Sequence, residues 1–148
     1  MTLKPGDTAP DFTARASDGA VINLAALTKN SRVVLVFYPG DNTPVCTSQL
    51  CAFRDSMSDL KSLDCTVLGV NPAGESKHSA FISKYNFPFP LVVDERGEIA
   101  RRYGCRAMFG LIVRTVFVID TNGKVIYAKR GNPPVKEIVD AVKSAEAK

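Results

Sequence analysis

Residues Arg32–Tyr38 read RVVLVFY, a nearly unbroken run of β-branched and aromatic side chains that stops at Pro39-Gly40-Asp41-Asn42. A half-exposed strand alternates apolar and polar residues; this one does not, so both of its faces must be covered. Thr66–Val70 (TVLGV) has the same character. Two such strands demand a sheet with helices on either side. The chain supplies them. Thr43 stands where it can cap a helix, and Pro44 takes the first helical position, where its missing N–H costs nothing. Leu50, Phe53, Met57 and Leu60 then form one helical stripe, closed by Leu63-Asp64. Glu75–Tyr85 predicts a second helix, with Phe81, Ile82 and Tyr85 as its apolar side.

The flanking segments complete the pattern. Phe12 and Ala14 alternate with polar neighbours, Asp18-Gly19 marks a turn, and Val21, Ile22 and Leu24 follow, which predicts an antiparallel hairpin. The prolines of Phe87-Pro88-Phe89-Pro90 keep that stretch extended. Leu91–Val93 is a short strand and Glu98–Tyr103 a short helix. Arg114–Asp120 and Lys124–Lys129 are joined across Thr121-Asn122-Gly123, a second hairpin. A helix from about Pro134 buries Val135, Ile138, Val139 and Val142. The order ββ-β-α-β-α-β-α-β-β-α predicts an α/β fold, a mixed central sheet flanked by helices. It is compatible with the thioredoxin fold carrying an N-terminal β-hairpin extension and an inserted strand–helix unit. With no repeat, linker or low-complexity stretch in 148 residues, residues 1–148 are expected to form a single domain.

Composition narrows the function classes. At 45% hydrophobic and 23% charged residues, the chain buries enough apolar area to exclude a disordered state. Its longest apolar run, Val33–Tyr38, is far short of the ~20 residues of a membrane span. A net charge of +4 with no dense Lys/Arg block argues against a nucleic-acid partner. Met1-Thr2-Leu3-Lys4-Pro5-Gly6 lacks the apolar core of a signal peptide, so a cytoplasmic location is expected.

That leaves four cysteines: Cys46, Cys51, Cys65 and Cys105. A disulfide frame belongs to small secreted proteins with inadequate cores, which this is not. Zinc favours C-x2-4-C pairs. Gaps of 5, 14 and 40 residues and a sole histidine, His78, do not provide them, so no metal or cofactor is expected. Cys46 falls at the third position of the helix begun by Pro44. There the free amides and the helix dipole favour thiolate over thiol. Yet Cys46 also shares the apolar stripe of Leu50 and Phe53, and the residues alone leave a reactive and a core reading in balance. Cys51 is five residues on. In an intact helix the two Cα atoms would be about 8–9 Å apart and face different ways, beyond the ~7 Å limit for a disulfide. A bond between them requires the first turns to unwind. Cys65 opens a buried strand and Cys105 sits beside Arg106; both read as bystanders, with Cys105 a possible alternative resolving thiol. His78 reads as a solvated residue on a surface helix.

Pro39-x-x-x-Thr43-x-x-Cys46 matches the P-x-x-x-[T/S]-x-x-C signature of the peroxiredoxins. The wider FYPGDNTPVCTSQLCAFRD resembles the bacterioferritin comigratory protein / peroxiredoxin Q subfamily. The likeness extends to Gly6-Asp7-x-Ala9-Pro10-x-Phe12 and to Arg114-Thr115-x-Phe117-x-Ile119-Asp120. It implies a thioredoxin-dependent peroxidase of the atypical two-cysteine kind, acting on hydrogen peroxide and organic hydroperoxides. Cys46 would be the peroxidatic cysteine that becomes a sulfenic acid. Thr43 would hydrogen-bond sulfur and peroxide, Pro39 would shield the pocket, and Arg114 would stabilise thiolate and transition state. Cys51 would resolve the sulfenic acid as an intramolecular disulfide, reduced by thioredoxin or a similar dithiol. The subfamily resemblance implies a monomer, or at most a weak dimer.

The sequence departs from the family at Gly40-Asp41-Asn42, where Lys-Asp-Asp is frequent, at Val45, where glycine is, and at Gln49, where glutamate is common. Val45 sets a branched side chain beside the nucleophile, and Gln49 removes a negative charge near it. Two competing functions use the same cysteines: a redox sensor or chaperone built on the disulfide switch, and a thioredoxin-type disulfide reductase. The missing C-x-x-C counts against the reductase. A cysteine hydrolase would need His78 to meet Cys46 in space.

Overall fold

The computed structural model describes residues 3–146. In chain order they form β1 (Thr13–Arg15), β2 (Val21–Asn23), α1 (Leu24–Thr28) and β3 (Arg32–Phe37). There follow α2 (Pro44–Asp55), α3 (Met57–Ser62), β4 (Cys65–Asn71), α4 (Glu75–Tyr85) and β5 (Leu91–Val93). The chain ends through α5 (Glu98–Arg102), β6 (Thr115–Ile119), β7 (Val125–Arg130) and α6 (Val135–Glu146).

β3 is central because it has no polar face to offer water. It lies in a five-stranded sheet of order β5-β4-β3-β6-β7, parallel to β4 and antiparallel to β6. Val33, Leu35 and Phe37 point to one side, into a core with Phe12, Leu24, Ile99, Tyr103, Cys105 and Phe117. Val34, Val36 and Tyr38 point to the other, toward the apolar sides of α2, α4 and α6 with Cys46, Phe53, Phe81 and Ile138. Leu35 and Phe37 are fully buried, each contributing about 2–3 kcal/mol by removal from water. The result is a mixed sheet flanked by helices on both faces, the thioredoxin arrangement, with the β1–β2 hairpin added at the N-terminus. That hairpin docks beside β5, where Ala16 bridges Val92 and the Ser17 N–H donates to the Leu91 carbonyl (2.9 Å).

Two elements differ from the sequence expectation. α1 follows β2 directly and begins at Leu24, where the sequence pattern predicts the hairpin to continue. Asn23 caps this short helix, its side-chain oxygen accepting from the Ala26 N–H at 2.9 Å. The single long helix expected up to Leu63 is two, broken at Ser56 (φ −108°, ψ 9°). Met57 and Leu60 stay buried beyond the break, so apolar spacing alone cannot reveal it. The Asn122-Gly123 hairpin forms as expected. Asp120 Oδ1 accepts from the N–H groups of Asn122 and Lys124 (2.9 Å each), and Gly123 takes the left-handed φ of +77°.

Candidate active site

β3 and β6 bring the site together. Thr115 pairs with Phe37, so the same register sets Arg114 beside Tyr38, where β3 gives way to the Pro39–Thr43 loop and then to α2. Pro39 is exposed immediately after the buried Tyr38.

Cys46 is the third residue of α2 and only 1% exposed, in one core cluster with Tyr38, Leu50 and Phe53. Cys46 thus lies at the helix start and in the core at once. Thr43 occupies the N-cap position in extended conformation, but it does not cap with its side chain. Its Oγ1 donates instead to the Gly40 carbonyl at 3.1 Å. The first helical hydrogen bond runs from the Thr47 N–H to the Thr43 carbonyl (2.8 Å). The N–H groups of Val45 and Cys46 precede it and point out of the helix start with no side-chain cap, a concentration of positive dipole at the sulfur's own turn. Val45 is 54% exposed beside it.

Arg114 Nη1 donates to Gln49 Oε1 at 2.7 Å. Gln49 is 1% exposed and lies one turn past Cys46, so this bond fastens the start of β6 to the first turns of α2. Gln49 Nε2 is buried with no hydrogen-bond partner among the described residues. Cys51 is half-buried on the same unbroken helix, and both cysteines are free thiols. One turn past Cys51, Arg54 Nη1 donates to the Tyr85 carbonyl at 2.7 Å, tying α2 to α4.

His78 is not the solvated residue expected from the sequence. Its side chain is 0% exposed and is enclosed by the site's own loop. Nδ1 lies 2.6 Å from Asp41 Oδ2, and Nε2 lies 3.1 Å from the Val92 carbonyl and 3.3 Å from that of Asn71. Asp41 Oδ1 accepts from the Tyr38 hydroxyl at 2.6 Å, and Asn71 Nδ2 donates to the Tyr38 carbonyl at 2.9 Å. Burial, then the charge and hydrogen bond of Asp41, push the Tyr38 hydroxyl well above the usual tyrosine range; Cys46 adds to this. A signal for His78 was present in the sequence. His78, Phe81 and Tyr85 are spaced i, i+3, i+7, one helical face.

The remaining cysteines stay apart from this site. Burial pushes the Cys65 thiol up to about 11 and the Cys105 thiol up to about 12. Cys105 packs on the face of the sheet opposite Cys46, which removes it as an alternative resolving thiol in this fold. Among the described residues no group of three His, Cys, Asp or Glu side chains could hold a metal ion. No helix among them is long and apolar enough to cross a membrane.

Known proteins share this fold. The AhpC/TSA family matches residues 5–128. Peroxiredoxin Bcp of Bacillus subtilis (strain 168) is 37% identical over 133 residues, covering 85% of this chain and 84% of that protein. The chloroplastic peroxiredoxin Q of Oryza sativa subsp. japonica is 38% identical over 144 residues, 95% of this chain; the chain spans 66% of that relative's length. Among solved structures, peroxidoxin BcpB from Mycobacterium tuberculosis superposes with a TM-score of 0.90 at 29% identity, covering 96% of this chain and 97% of that one. A Xanthomonas campestris bacterioferritin comigratory protein, solved in a study of its alkyl peroxide reduction activity, superposes with a TM-score of 0.84 at 27% identity, over 93% and 92% of the two chains. The chain belongs to the AhpC/TSA family, among its peroxiredoxins of the Q/Bcp kind.

Proposed function

We propose that the chain is a thiol-dependent peroxidase, working as one domain with Cys46 as nucleophile and Cys51 as its resolving partner. The Cys46 thiolate attacks the terminal oxygen of a hydroperoxide. An S–O bond forms, the O–O bond breaks, and the alkoxide or hydroxide leaves and takes a proton from solvent. Cys46 is then a sulfenic acid, the reversible rung of thiol oxidation. Negative charge moves from sulfur to the leaving oxygen during this displacement, and fixed donors stabilise it more than mobile water does. The amides of the first turn of α2 and the guanidinium of Arg114 are such donors. In this reading Thr43 supplies a hydroxyl to the peroxide and Pro39 roofs the pocket.

The Cys51 thiol next attacks the Cys46 sulfur. The S–S bond forms and water leaves. The two sulfurs are too far apart across an intact helix, so the first turns of α2 unwind as the bond closes. Thioredoxin or a similar dithiol restores both thiols and is itself oxidised to a disulfide. Hydrogen peroxide and organic hydroperoxides are the proposed substrates, the latter in keeping with the alkyl peroxide reduction of the Xanthomonas relative.

The observation that carries the proposal is Cys46 on an uncapped helix start, one turn from the residue that holds Arg114. Peroxide consumption with thioredoxin tests it. Cys46→Ser should abolish turnover, and retained turnover in that variant overturns the proposal.

A further inference from the structure

The loop that leads to Cys46 is fastened to α4 at two levels. On the surface, Lys84 Nζ and the Tyr85 hydroxyl each donate to Asn42 Oδ1 at 3.3 Å. Beneath them, sealed from solvent, Asp41 meets His78 at 2.6 Å. The deeper contact is unusual in its proton count. The Nε2 neighbours are both carbonyls, which only accept, so Nε2 carries a hydrogen. Nδ1 faces a carboxylate whose other oxygen already accepts from Tyr38. One further proton must therefore sit between Nδ1 and Asp41 Oδ2, as an imidazolium–carboxylate pair or its neutral equivalent. Every polar atom of the His78 and Asp41 side chains is matched, which a buried pair requires if it is to hold rather than weaken its surroundings.

The position of this pair gives it a task. Asp41 lies five residues before Cys46 and three before Pro44. Asn42 follows with a left-handed φ of 60°, so the chain turns sharply from the pinned Asp41 into α2. Resting on the peroxidase reading, we propose that His78 is a positioning residue that holds Asp41, and with it the first turn of α2, in the wound form that presents Cys46 to peroxide. The clamp opposes the unwinding that brings Cys46 to Cys51. It thereby divides time between two steps with conflicting demands. Peroxide attack needs the amides of the helix start in place, and disulfide closure needs them dispersed.

Two independent readouts test this. Hydrogen exchange on the reduced protein, with no peroxide present, follows the amides of Thr47, Ser48 and Gln49. Stopped-flow follows sulfenic acid formation and disulfide closure as separate phases. His78→Ala and Asp41→Ala should speed exchange at these amides at least tenfold while β3 and α6 remain protected. The peroxide phase should slow about tenfold and the closure phase should quicken severalfold. Asp41→Asn should restore both phases to within about threefold. Its amide can donate to a neutral Nδ1 while its oxygen still accepts from Tyr38, so the clamp survives without the charge. If His78→Ala does not fold, as judged by circular dichroism, His78→Gln is measured in its place.

Unchanged exchange in folded alanine variants overturns the proposal. So does exchange that rises equally throughout the sheet and helices, or a closure phase that slows together with the peroxide phase. A wild-type protein that consumes no peroxide would overturn the peroxidase reading instead, while the exchange experiment would still decide whether the clamp exists.

Discussion

Arg114 is held at 2.7 Å by the neutral oxygen of Gln49, not by a carboxylate, one helical turn beyond Cys46. The guanidinium therefore keeps its full positive charge next to the helix that carries Cys46. A cation without a carboxylate partner stabilises negative charge that develops nearby. Gln49 Nε2 marks the cost, a buried donor left without an acceptor among the described residues. Gln49→Glu should set a carboxylate against the guanidinium and offset its charge. In a Cys51→Ser background, the peroxide rate constant at neutral pH should fall severalfold. An unchanged rate constant would show that the charge of Arg114 does not assist the attack.

Val45 should act on the second half of the cycle. It is an exposed β-branched residue in the first turn of α2. Glycine there would lower the helix propensity of that turn by about 0.4 kcal/mol and free its backbone. Val45→Gly should speed disulfide closure about twofold and leave the peroxide step nearly unchanged. Stopped-flow traces that resolve the two phases check this.

Cys51→Ser should separate the chemistry from the unwinding. Without a resolving thiol, one equivalent of peroxide is consumed and turnover stalls unless a small thiol reduces the sulfenic acid directly. Peroxide-treated wild-type protein should show a Cys46–Cys51 bridge by mass spectrometry. Its Thr47–Gln49 amides should exchange freely, whereas those of oxidised Cys51→Ser remain protected.

The sequence carried the architecture well where one physical rule dominated. The apolar run of β3 had to be central, Pro44 had to begin a helix, and Asn122-Gly123 had to turn a hairpin. It carried less where two rules competed. The break at Ser56 leaves the buried stripe of Met57 and Leu60 unbroken, so periodicity passes over it. α1 is only five residues long, too short for periodicity to register, and its Asn23 cap lies inside a strand pattern. The burial of His78 is not legible from its residue type, because it depends on Asp41, distant in sequence and adjacent only after folding. Cys46 was legible as a candidate from its helix position. That Arg114, 68 residues later in the chain, bonds to Gln49 one turn beyond it was suggested only by the family signature.

The two bystander cysteines should govern behaviour in alkali. Burial is the leading cause of their raised ionisation, to about 11 for Cys65 and about 12 for Cys105. In the unfolded chain a thiol ionises near 8.5. A folded value above the unfolded one means that stability is fully present below about pH 8.5. It then declines as the unfolded chain releases protons that the folded chain retains, and the loss is complete as pH passes the folded values. Denaturant midpoints should therefore be flat up to about pH 8 and fall between about pH 9 and 11. Cys65→Ala with Cys105→Ala should start about 1–2 kcal/mol less stable for the lost packing but decline less steeply over that interval. In the native wild-type protein at pH 8, alkylation should reach the half-buried Cys51 and spare Cys65 and Cys105. Rapid labelling of Cys65 or Cys105 in folded protein would show that their burial does not hold in solution.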